Sequence, residues 1–120
     1  MNRYARHIHP YIEAELEAAT CAEYVGKTKE AFTHLERAHV LSQGSTAEHV
    51  RVHWQMLRSA LRQRCLGEAA GQVLRLVGAA TKTAVGLVPA GNTGGANVSA
   101  FRSMPIAPDL QRLIDAARDA

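Results

Sequence analysis

Apolar residues recur along this chain at helical rather than strand spacing. From Thr28 to Ser42, residues Ala31, Leu35, Ala38 and Leu41 follow the i, i+4, i+7 order of a single buried stripe, and Gly44 is placed to end the helix. Upstream, a helix is predicted from Pro10, a residue favoured at the first helical position, to Tyr24, with Gly26 as the stop. Its apolar side is modest: Ile12, Leu16, Ala19 and Ala22 or Glu23. Ser45-Thr46-Ala47-Glu48 matches the capping box, in which the Ser and Glu side chains each satisfy an unpaired backbone N–H, so a third helix begins there. Val50, Trp54, Leu57, Leu61 and Cys65 would form its buried stripe. A fourth helix, about Glu68 to Thr83, is apolar nearly all round through Val73, Leu74, Val77 and Ala80, the pattern of the most enclosed element.

The texture then changes. Residues 86–99, G-L-V-P-A-G-N-T-G-G-A-N-V-S, read as loop, and Pro105 and Pro108 extend the irregular stretch. Asp109 to Ala117 is a short amphipathic helix expected to dock on the core. The predicted fold is therefore all-α and a single domain over 1–120. Two antiparallel helical hairpins form a core over 10–83, an irregular Gly/Asn-rich loop covers 84–107, and a C-terminal helix covers 108–119.

Composition agrees with close helix packing. The 120 residues are 47% hydrophobic but only 5% aromatic, and they are rich in Ala, Leu and Val. The most apolar stretch, around Val73–Ala90, is interrupted by Arg75, Lys82, three glycines and Pro89, so no membrane span is expected. The first seven residues lack the apolar core of a secretory signal, and a cytoplasmic location is expected. Cys21 and Cys65 fall outside any C-x-x-C pattern and read as reduced, mostly buried thiols.

Histidines carry the first candidate chemistry. Four of the six lie between His34 and His53, in two helices separated by a turn. His49 and His53 are four apart, the spacing by which one helix face offers two imidazoles to one ion. Glu36 and His39 form the Glu-x-x-His arrangement that carboxylate-bridged di-iron bundles use. A turn centred on Gly44 and Ser45 would set Glu36 opposite His53 and His39 opposite Val50. Glu36, His39, His49 and His53 are thus candidate ligands for Zn, Fe, Cu or Ni, with Glu13 and Glu17 as further oxygen donors. His34 lies about 140° round the helix from His39 and is excluded from that set. The competing reading makes these histidines hairpin-edge residues that hydrogen-bond locally.

Net charge is +3, too small by itself to imply a nucleic-acid partner. Between Glu48 and Glu68 there is no acidic residue, while Arg51, Arg58 and Arg62 share one helix face. That ridge could grip an acidic protein partner, or be a solvated surface. No nucleic-acid motif or aromatic platform accompanies it. Gly91, Asn92, Thr93, Gly94, Gly95 and Asn97 offer backbone N–H groups to a small ligand, although no P-loop lysine follows them. No partnered nucleophile is evident, so no catalytic residue is assigned, and an enzyme is less expected than a binding protein.

Two resemblances add to this. Gly26, Ala31, Ala38 and Leu41 resemble the tetratricopeptide repeat, and a second unit with Trp54, Leu57, Leu61, Ala70 and Leu74 would recur after about 39 residues, with Cys65 where the turn glycine belongs. H-L-E-R-A-H, H-V-R-V-H-W and G-N-T-G-G-A-N-V-S resemble a family of short bacterial proteins catalogued as a domain of unknown function, which implies no activity. The functional expectation is a small helical module that binds a protein partner or a copy of itself, with a metal-binding protein or small metalloenzyme as the alternative.

Overall fold

The structure, a computed structural model, describes residues 2–84 and 103–120. Among these residues there are five helices and no strand: α1 (Arg3–Tyr24), α2 (Thr28–Ser42), α3 (Thr46–Arg62), α4 (Leu66–Ala84) and α5 (Pro108–Asp119). The α1/α2 hairpin packs on the α3/α4 hairpin through α2 and α3, and α5 lies against α1 and α2. No helix of the described residues is long and apolar enough to cross a membrane.

α1 starts seven residues before the sequence pattern suggested. Asn2 caps it, its side chain accepting from the Ala5 N–H at 2.7 Å, and Pro10 lies inside the helix. An internal proline costs about 3 kcal/mol. Ile8 and Ile12, each fully buried, contribute about 1.5–3 kcal/mol apiece and outweigh it. The core they join runs through Leu35, Ala38, Leu41, Val52 and Met56 to Leu110 and Ile114 of α5.

The two hairpin turns are copies of one another. In the first, Gly26 has φ +81, and the Gly26 and Lys27 N–H groups donate to the carbonyls of Glu23 and Ala22 at 3.0 and 2.8 Å. In the second, 38 positions later, Arg64 has φ 56, and the Arg64 and Cys65 N–H groups donate to Leu61 and Ala60 at 3.1 and 2.9 Å. Both are Schellman closures, with the left-handed residue just past the helix end. The small residues that let each hairpin close, Ala22 and Ala31 in one and Ala60 and Ala69 in the other, are buried at matching positions. The repeat thus has a 38-residue period, and the left-handed position belongs to Arg64 rather than Cys65.

Three apolar assignments need correction. On α3 the buried side is His49, Val52, His53, Met56 and Ala60, with Leu57 buried as expected, whereas Trp54 and Leu61 are about half exposed. The helix is rotated because its histidines, not its largest apolar groups, face α2. α4 is the least enclosed helix of the hairpins rather than the most: Ala69 and Gln72 are buried but Val73, Leu74 and Val77 are exposed, since none of the other described helices lies on that side. Both cysteines are exposed, Cys21 on the outer side of α1 and Cys65 in the second turn, beyond the end of α3.

A candidate metal centre between the hairpins

His39 of α2 and His49 and His53 of α3 are 3, 5 and 3% exposed. Their Nε2 atoms form a small triangle: 2.9 Å from His49 to His39, 3.0 Å from His39 to His53, and 3.2 Å from His53 to His49. The rings meet edge-on or tilted, with centroids 4.6–4.9 Å apart, so they converge through nitrogens rather than stacked faces. A tetrahedral ion with bonds of about 2.0–2.1 Å holds its ligand nitrogens roughly 3.3 Å apart, so the triangle need open by only a few tenths of an ångström.

α4 fixes the protonation of one member. The Glu68 carboxylate accepts from Gln72 Nε2 at 2.8 Å, which leaves Gln72 Oε1 as an acceptor 2.6 Å from His53 Nδ1. Neutral His53 therefore carries its proton on Nδ1, and Nε2 presents a bare lone pair to the triangle. Three nitrogens facing one another with a lone pair at one corner are a donor set that a single cation could occupy. An oriented imidazole whose far nitrogen is held by an amide or carboxylate is the usual setting of a metal-ligating histidine.

Sequence spacing grouped His39, His49 and His53, and His39 sits against both α3 histidines, near the expected place opposite Val50. Among the described residues Glu36 is not in the converging group; it lines a cavity of about 670 Å³ one turn away, with Phe32, Met56, Ala60 and Glu68. Glu13 accepts from Arg51, and Glu17 lines a groove on α1, so neither joins the histidines. His34 is indeed separate, its Nδ1 lying 2.7 Å from Glu15 Oε2. Gln72 and Glu68 were missed, because nothing in sequence links a glutamine nineteen residues downstream to His53.

Two members of the arginine ridge are ion-paired to α1. Arg51 bonds Glu13, and Arg62 bonds Glu23 at 2.5 and 3.1 Å, with Ser59 donating to the same carboxylate. The Arg62 hydrogen bond holds the Glu23 carboxyl below its ordinary pKa. Arg58 is exposed at the rim of a groove with Tyr24 and Gln55. The capping box is half formed: Ser45 Oγ accepts from the Glu48 N–H at 3.4 Å, but the buried Glu48 side chain meets His9 Nδ1 at 2.6 Å instead of returning to Ser45. The candidate loop residues Gly91, Asn92, Thr93, Gly94, Gly95 and Asn97 lie outside the described residues.

The fold and site thus define a small helical protein with a three-histidine constellation clasped between two hairpins. A family described as protein of unknown function (DUF3703) matches residues 6–114, and the chain belongs to it. No curated protein and no solved structure matches the chain.

Proposed function

We propose that this chain is a transition-metal-binding protein that holds one ion on His39, His49 and His53, and that zinc is the ion the donor set suits best. The observation that carries this reading is the Nε2 triangle with sides of 2.9–3.2 Å, buried at the seam of the two hairpins. Three neutral imidazoles with no thiolate favour a divalent borderline ion, and three nitrogens leave a fourth tetrahedral position for water or another small ligand. Because His39 belongs to one hairpin and His49 and His53 to the other, the ion also clips the hairpins together.

The test is elemental analysis of untagged protein purified without chelator or nickel resin, then stripped and reloaded with Zn, Fe, Cu and Ni in turn. One zinc per chain is expected, falling to none in the His49→Ala/His53→Ala variant. No uptake of any of the four ions by the folded wild type would sink the reading. A second reading, protein association, is favoured by a separate observation, the exposed apolar residues at the outer faces of both hairpins.

A further inference from the structure

The 38-residue repeat assigns every large exposed apolar side chain among the described residues to one of two faces. Residues of the first hairpin that turn toward the second include Leu16, Glu23, Thr28, Leu35, Glu36 and His39, which reach the shared core, the ion pairs, the intervening cavity or the histidine triangle. Their counterparts in the second hairpin are Trp54, Leu61, Leu66, Val73, Leu74 and Val77, which are 51, 55, 73, 51, 76 and 73% exposed. Conversely, His49, Arg62 and Gln63 face the first hairpin, and their counterparts there are Tyr11, Tyr24 and Val25, which are 42, 92 and 64% exposed. Among the described residues the molecule is a two-step stack whose receiving face is repeated, exposed, at one end and whose inserting face is repeated, exposed, at the other.

Stacked repeats of this kind ordinarily end in polar caps, because an open end is an unfinished interface. We infer that the α3–α4 outer face of one copy receives the α1 outer face of a second copy, continuing the hairpin-on-hairpin interface head to tail. The exchanged chemistry is complementary. Where Glu23 meets Arg62 inside the chain, Leu61 would meet Tyr24 of the next copy. Where His39 meets His49, Val77 would meet Tyr11. The junction between copies is thus an apolar version of the polar, ion-holding junction within each chain. It involves no ligand of the histidine triangle, so it stands independently of metal binding.

A head-to-tail interface leaves one end of each kind exposed on every dimer, so the wild type should grow past two chains with concentration, toward a ring or an open filament. Light scattering behind size exclusion should show an apparent mass that rises from the 13.0 kDa chain through twice that value and beyond. Leu61→Glu/Val73→Glu spoils one end and Tyr11→Glu/Tyr24→Glu the other. All four sites are exposed, and circular dichroism checks that each variant keeps its helices. Each variant alone should stay a monomer, and the equimolar mixture should give a heterodimer, because each still carries one intact end. A wild type that stays at one chain at every concentration overturns the inference. So does a tyrosine variant that associates like wild type, since that would mean like faces pair with like, or a mixture that stays monomeric.

Discussion

The two hairpins share a backbone plan and divide the chemistry between them. A pair of side chains nineteen residues apart bridges the helices of each at the same place: Glu15 with His34 in the first, at 2.7 Å, and His53 with Gln72 in the second, at 2.6 Å. In the first hairpin the histidine is the downstream partner, and its carboxylate also takes the Arg37 guanidinium, which continues to Asp109 of α5. The network ties down the C-terminal helix. In the second hairpin the histidine is the upstream partner, and a neutral amide replaces the carboxylate. Its other nitrogen is thereby free to face His39 and His49 rather than an arginine network. Exchanging which helix carries the histidine turns a structural bridge into a ligand support.

That comparison breaks most sharply at the paired positions themselves. His53→Ala should abolish zinc uptake and with it about 4 kcal/mol of ion-linked stabilisation at a thousandfold excess over Kd, read as the difference in melting between loaded and chelated protein. His34→Ala, at the position matching Gln72, should leave stoichiometry at one ion. Loss of zinc in the His34 variant would refute the division of labour. Gln72→Leu should next lower zinc affinity about 10–100-fold in a chelator competition while leaving one ion per chain, since it removes the support and not the ligand. An unchanged affinity would show that His53 is oriented by packing alone.

The turns provide a smaller contrast of opposite sign. Gly26→Ala meets open space but puts a Cβ at φ +81, and should cost about 1–2 kcal/mol. Arg64→Gly relieves the same conformation and should stabilise by up to about 1 kcal/mol, both measured by urea unfolding. Equal signs would mean that the two closures are not equivalent.

The smallest expected effect is electrostatic. Hydrogen bonding to Arg62 lowers the Glu23 pKa, and hydrogen bonding to Arg37 lowers that of Asp109. A depressed carboxylate adds stability above its unfolded pKa, about 4, that is lost as pH falls through the lower folded value. Stability should therefore be flat on this account from neutrality to about pH 5 and decline below about pH 4. Arg37→Met should flatten part of that acid limb. At the other extreme, burial raises the Tyr4 phenol to about 12, so its hydrogen bond to the Leu41 carbonyl, 2.8 Å long, persists until the pH rises through that value.

Much of the fold was legible where local chemistry is decisive. The α2 stripe and Gly26 set the first hairpin, and Ser45 set the start of α3. What failed was the assumption that larger and more apolar means further inside. Trp54 and Leu61 sit outside because His49 and His53 hold the inner side of α3, where both face His39. A sequence pattern weighs a histidine as polar and has no term for three of them meeting. The candidate ligands were legible as an i, i+4 pair and a neighbour across a turn. Glu36, one turn before His39 on α2, lines the cavity wall instead of the triangle, a placement that depends on how the helices pack and not on spacing. The repeat was legible in outline, but its 38-residue period could be read only from the paired left-handed residues.

All three histidines lie within fifteen consecutive positions, on two helices joined by Gln43, Gly44 and Ser45. The order of assembly follows from this. Bringing His39 to His53 closes a loop of about a dozen residues, an event of roughly 10–100 ns and small entropic cost compared with joining α1 to α5 across the whole chain. An ion can therefore be captured by the α2–α3 segment before the termini meet. It would then act as a seed from which both hairpins grow outward, rather than as a rivet added to a finished fold.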